Sequence, residues 1–142
     1  MCRGSRGDVM KYSNDLPTCD QLLALYADAG PSACTSDPLR LLRAVEHSLC
    51  VATAWENDQL VGLARAIGDG ETILYIQDVL VHSSFHHSGI GAQLMSMLLR
   101  AYPDVLQVVL LADDSPASAG FYTGLGFAPA TGNGLTAFIH FG

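Results

Sequence analysis

The stretch Thr72 to Val81 restricts the fold of this chain more than any other. It is apolar at nearly every position. A strand with one solvated face alternates, so a continuous apolar strand predicts cover on both faces and a layered α/β arrangement. Gln77 and Asp78 interrupt the run. A polar pair inside a central strand predicts a bulge or a functional site.

The neighbouring segments supply the cover. Thr18 caps a helix start, with Gln21 at the capping-box position. Leu22, Leu25, Tyr26 and Ala29 follow at helical spacing, and Gly30-Pro31 ends the stripe. Asp37-Pro38 opens a second helix lined by Leu39, Leu42, Val45 and Leu49. Leu49 to Trp55 and Gln59 to Ile67 read as strands, separated by the turn Glu56-Asn57-Asp58. Gly68-Asp69-Gly70 turns the chain into the Thr72–Val81 strand. A loop from His82 to Ser88 leads into a helix from Gly89 to about Tyr102, stopped by Pro103-Asp104. Val105 to Ala112 reads as another buried strand. Asp114-Ser115-Pro116 opens a short helix, ended by Gly124 and Gly126, and Leu135 to Phe141 reads as a closing strand. The expected order is α-α-β-β-β-α-β-α-β, a single α/β domain over residues 1–142 with a mixed sheet. The helix between the last two long strands implies a parallel pair.

Composition narrows the function. With 142 residues, 49% hydrophobic and 15% charged, the chain is globular and sized for one domain. No apolar run nears the ~18 residues of a membrane span, and Met1 to Met10 holds no apolar segment of a secretory leader. That reads as cytoplasmic with no membrane partner. Seven basic against fourteen acidic residues give a net charge of −7. This disfavours nucleic acid and suits either plain solubility or a cationic partner such as an amine. Cys2, Cys19, Cys34 and Cys50 form no C-x-x-C pair, so neither a zinc knuckle nor a disulfide framework is expected.

The chemistry concentrates in Val79 to Ala92, a strand, a loop, and a helix whose first turn carries Gly89 and Gly91. Helix N-termini present unpaired N–H groups, and glycine lets a phosphate approach them. A dinucleotide fingerprint fails because Leu94 stands where its third glycine belongs. A Walker loop fails because the chain's single lysine is Lys11. An isolated pair of glycines would be read as relief of crowding at a helix start.

The pair is not isolated. Val79-Leu80-Val81, followed by His86-His87-Ser88-Gly89-Ile90-Gly91, resembles motif A of the GNAT superfamily of N-acetyltransferases. Phe121-Tyr122-Thr123-Gly124-Leu125-Gly126-Phe127 is similar to that family's F-Y-x-x-L-G-F, and Leu60 to Arg65 to its preceding strand. The resemblance covers nearly the whole chain. It implies a mixed sheet with two splayed parallel strands flanked by helices, and acetyl-CoA in the gap between them. The backbone of Val79, Leu80 and Val81 would hold the pantetheine arm. Amides from His86, His87, Ser88, Gly89, Ile90, Gly91 and Ala92 would hold the pyrophosphate. A small-molecule or peptide amine would attack the thioester directly, and Tyr122 would protonate the leaving thiolate. No metal is implied, and a homodimer is left open. A non-catalytic acyl-CoA-binding or regulatory module of the same fold is the alternative.

Two departures stand out. His86 replaces the usual Gln or Arg; as a phosphate donor it would make cofactor affinity pH-dependent. Ser83 replaces a frequent proline, which predicts a looser loop. Asp78 has two readings: a general base with a pKa raised by an apolar wall, or a structural partner of the bulge. Glu71, at a turn, reads as solvated. His82, His86 and His87 offer at most three metal ligands with no acidic residue or Cys close by. Trp55, Tyr75 and Phe85 read as core or pocket wall.

Overall fold

The computed structural model describes residues 10–30 and 33–142. Expectations for the opening residues, Cys2 and Pro31 lie outside these, as does the side chain of Cys34. The chain divides after Leu110 into two compact units.

The first unit is built on a five-stranded sheet. Its strands are β1 (Met10–Ser13), β2 (Cys50–Glu56), β3 (Gln59–Gly68), β4 (Ile73–Val81) and β5 (Gln107–Leu110). They lie in chain order across the sheet. The first four pair antiparallel and β4 pairs parallel with β5. The expected α/β class, mixed sheet and parallel pair are all present. Strand β1 was not anticipated: four residues, Met10-Lys11-Tyr12-Ser13, carry no periodic signal and become a strand by pairing with β2.

Helices α1 (Cys19–Asp28), α2 (Ala33–Ser36), α3 (Pro38–Glu46) and α4 (Ile90–Ala101) complete this unit. Thr18 caps α1 through a full capping box, and Asp37 caps α3 with Pro38 in its first turn, as expected. Leu22, Leu25 and Tyr26 of α1 join Leu41 and Val45 of α3 over Val51, Leu60 and Leu63 of the sheet. The small residues Ala54 and Gly62, directly paired across β2 and β3, lie under α4. Ile90, Leu94, Met95 and Leu98 of α4 are buried.

Gly62 sets how closely α4 approaches. A Cβ there would lie 2.9 Å from Cγ2 of Ile90 and 3.0 Å from Cδ1 of Leu94. Gly62→Val is therefore expected to cost about 1–3 kcal/mol by overpacking and to push the first turn of α4 outward. Urea denaturation measures this; an unchanged midpoint would mean that the helix–sheet contact has slack. At the β3–β4 turn, Gly68 has φ 137°, and a Cβ would collide with the Ile73 carbonyl oxygen. Asp69 then accepts hydrogen bonds from the amides of Glu71, Thr72 and Ile73, which fixes the turn.

Two strand expectations are corrected. The segment Val105 to Ala112 is a strand only over Gln107–Leu110, and it is half-exposed rather than buried. It is the last strand in the sheet order, so one of its edges lacks a neighbour. The second unit holds α5 (Pro116–Gly124), capped by Ser115, and a 3-10 turn at Ala130–Asn133. Leu135 to Phe141 forms no strand there; its residues are exposed. Strand propensity without a partner strand leaves the backbone unpaired.

Candidate functional site

The parallel pair opens partway along its length. Registered partners run from Ile73↔Gln107 to Ile76↔Leu110, and β4 then continues alone to Val81. The divergence coincides with a bulge. Arg65 pairs with Asp78 and Ala66 with Ile76, so Gln77 is the extra residue. A bulge bends its strand and increases local twist. Leu74 and Ile76, before it, are buried, whereas Val79, Leu80 and Val81, beyond it, are half-exposed. The sequence predicted an apolar strand covered throughout; the cover is complete only where β5 pairs. The result is an open strand edge lined by apolar side chains, with backbone groups available to a ligand that can pair like a strand.

A loop joins this edge to α4. His82 Nδ1 accepts from the Ser84 amide, and Ser88 Oγ donates to the Phe85 carbonyl. His87 and Gly89 have positive φ values, 66° and 84°. Gly89 is the N-cap of α4 and offers no side-chain acceptor, unlike the caps of α1, α3 and α5. The first intrahelical bond runs from the Gln93 amide to the Gly89 carbonyl. The amides of Ile90, Gly91 and Ala92 thus head the helix with no cap on them, at the positive end of its dipole. That is chemistry for an anion held by backbone alone.

Two departures from the family pattern acquire a structural account. Asp28, at the end of α1, accepts from both the Ser83 amide and Ser83 Oγ, each at 2.8 Å. The expected looseness at Ser83 is corrected: proline could donate neither bond, and serine ties the loop to α1. These bonds, together with His82 whose Nε2 lies 3.5 Å from Asp28, hold the Asp28 carboxyl below its ordinary pKa. The tie therefore contributes above the ordinary carboxylate range and is lost as pH falls through the lowered value. The His86 ring turns back on the strand, with Nε2 2.8 Å from the Val81 carbonyl oxygen. The nitrogen expected to face phosphate is engaged within the chain.

Asp78 does not sit in an apolar wall. Its Oδ2 accepts from Arg65 Nε at 2.7 Å and from the Tyr26 hydroxyl at 2.8 Å. Arg65 also donates to Ser48 Oγ at 3.3 Å. The expectation of a carboxylate pushed up by apolar surroundings is thus corrected, because a guanidinium faces it across the β3–β4 ladder. Burial, and next the Asp78 charge, push the Tyr26 hydroxyl far above its ordinary pKa, so it stays a donor. Sequence reasoning missed Arg65 and Tyr26 as partners. The signal was an arginine inside the apolar run Leu60 to Ile67, which requires an opposite charge.

In the second unit, Tyr122 sits on α5. Its ring meets Phe121 at 4.9 Å and Phe127 at 6.0 Å, both edge-on. Its backbone carbonyl accepts from the Leu125 and Phe127 amides where the helix ends. Burial, then the charge of Asp113, raise the Tyr122 pKa, so the phenol remains protonated near neutral pH. Among the described residues, no group of three or more His, Cys, Asp or Glu side chains is arranged to hold a metal. Likewise, no described helix is long and apolar enough to cross a membrane. Trp55 lines a surface cavity of about 360 Å³ beside β1, with Tyr12 and Gln21.

An uncapped helix start beside a strand that splays from its parallel neighbour defines an acyl-CoA-type transferase architecture. The model of the acetyltransferase (GNAT) family matches residues 19–127, more than half of the sequence, and the chain belongs to that family. An uncharacterised ycf52-like N-acetyltransferase of Prochlorococcus marinus is 35% identical over 94 residues, 62% of this chain and 51% of the relative. A chloroplastic GCN5-related N-acetyltransferase of Arabidopsis thaliana is 30% identical over 129 residues, 87% of this chain and 62% of the relative. The chain thus spans between half and two-thirds of the length of these curated relatives. Among solved structures, a GNAT-family acetyltransferase from Streptococcus pneumoniae superposes with a TM-score of 0.82 at 29% identity. It covers 94% of this chain and 96% of the other.

Proposed function

We propose that this chain is an acetyl-CoA-dependent N-acetyltransferase acting on a primary amine. The observation that carries the reading is the uncapped start of α4 beside the unpaired part of β4. Acetyl-CoA supplies the activated acetyl thioester, which the amine attacks directly. In this reading the backbone of Val79 to Val81 pairs with the pantetheine arm. The amides of the loop from His86 to Ala92, chiefly those of Ile90, Gly91 and Ala92, receive the pyrophosphate. Tyr122 gives its proton to the departing thiolate. Of the two readings of Asp78, the geometry supports the anchor: the Arg65 and Tyr26 bonds hold the strand beside the bulge and leave its Oδ2 no proton to fetch. The proton of the ammonium substrate then leaves to solvent or to another base. An acidic surface of net charge −7 suits a cationic acceptor.

The test has two arms. Gly91→Glu places a carboxylate among the helix-start amides and is expected to weaken acetyl-CoA binding at least tenfold, or ~1.4 kcal/mol, with the fold retained. Unchanged affinity by calorimetric titration would remove the pyrophosphate from this turn. CoA release over a panel of amines, read with a thiol reagent, tests catalysis. Binding with no turnover on any amine would favour the non-catalytic acyl-CoA module.

A further inference from the structure

We propose that Leu135–Phe141 of one copy of this chain adds as a strand to the sheet of a second copy, along the free edge of β5. The segment reads Leu-Thr-Ala-Phe-Ile-His-Phe. With the two-residue period of a strand, Leu135, Ala137, Ile139 and Phe141 share one face. Yet it forms no strand. Leu135 is 58% exposed, Phe138 93%, Ile139 62% and Phe141 81%. Scattered exposed apolar residues are ordinary, but four in seven consecutive positions are not. An uncharged, aromatic, strand-prone segment left in water invites edge pairing.

The complementary surface is on the same molecule. Strand β5 stands last in the sheet and pairs only with β4, so its outer row of N–H and C=O groups has no sheet partner. Leu106 and Leu111, which flank it in sequence, are 80% and 51% exposed. An incoming apolar strand would find both backbone groups and apolar side chains there. The occupant is a second copy because each copy carries one donor segment and one acceptor edge. A two-fold arrangement satisfies both at once and closes. Addition within one molecule would give the segment strand geometry in the monomer, where it has none. An aromatic side chain buries roughly 150–250 Å². Two phenylalanines, a leucine and an isoleucine from each copy therefore bring the total past the ~1,000 Å² that a specific interface needs.

The experiment measures the mass of the full chain by sedimentation, together with hydrogen exchange along it. A dimer in which the amides of 135–141 are protected is expected. The double variant Ile139→Lys, Phe141→Lys changes exposed residues only. It is expected to shift the mass to that of a monomer and to lose the protection at 135–141, with the far-ultraviolet circular dichroism unchanged. A wild-type monomer would overturn the proposal, whether or not the segment is protected. So would a dimer whose 135–141 amides exchange freely. Mass and exchange of the wild type alone decide the matter should the double variant fail to fold.

Discussion

Tyr122→Phe is expected to lower kcat about a hundredfold while acetyl-CoA affinity and melting temperature stay close to those of the parent. A general acid acts only as the C–S bond breaks, so losing it affects the transition state and not ground-state binding. General acid–base groups contribute on the order of 10²–10⁴-fold. The low end applies because a thiolate is a fair leaving group, with a thiol pKa of about 8.5 taking cysteine as the guide. The surroundings of Tyr122 suit the task. Burial and the Asp113 charge raise its pKa, so the proton is present to be given. The rings of Phe121 and Phe127 hold the phenol edge-on, and phenylalanine preserves both contacts. A variant with full kcat would return Tyr122 to a packing role. A fall in melting temperature alongside the rate would instead point to a hydroxyl with a structural partner.

How far the sequence foretold this molecule depended on whether a feature is local. The caps at Thr18, Asp37 and Ser115 are contacts within one helical turn, and each formed as read. The bulge beside Asp78 was legible because a polar pair broke an apolar run, and the register places it at Gln77. The glycine-headed helix was legible because glycine at its start has few uses, and Gly89 has the positive φ that only glycine adopts readily. Non-local features were not legible. Strand β1 exists only because β2 offers it an edge. The Asp78 environment was misread because Arg65 and Tyr26 reach it from thirteen and fifty-two positions away. Leu135 to Phe141 has the pattern of a strand, but pattern does not supply a partner. Ser83 was judged by what proline would have added, when its value lies in the amide and hydroxyl it gives to Asp28.

Arg65→Met is expected to destabilise the protein by about 3 kcal/mol, a large share of the 5–15 kcal/mol that holds a typical domain folded. The variant keeps most of the side-chain volume but leaves Asp78 facing a buried neutral chain. The Arg65 and Asp78 side chains are 10% and 20% exposed, so water repairs little of the loss, and the lower end of the range for a broken buried pair applies. Tyr26 would remain as the donor to Asp78, which softens the effect without replacing the charge. Asp78→Asn is expected to lose stability as well, because it strands the guanidinium, and the pair should show coupling above about 1 kcal/mol in a double-mutant cycle. The same variants separate anchor from base. If Asp78 anchors the bulge, Asp78→Asn keeps the acidic limb of the pH–rate profile, and its rate loss follows the loss of folded structure. If Asp78 takes the substrate proton, Asp78→Asn loses that limb and at least a hundredfold in kcat with stability intact. The geometry favours the first outcome, since a carboxylate already bonded to Arg65 and Tyr26 can accept a proton only by giving up the contacts that hold β4 at its bulge.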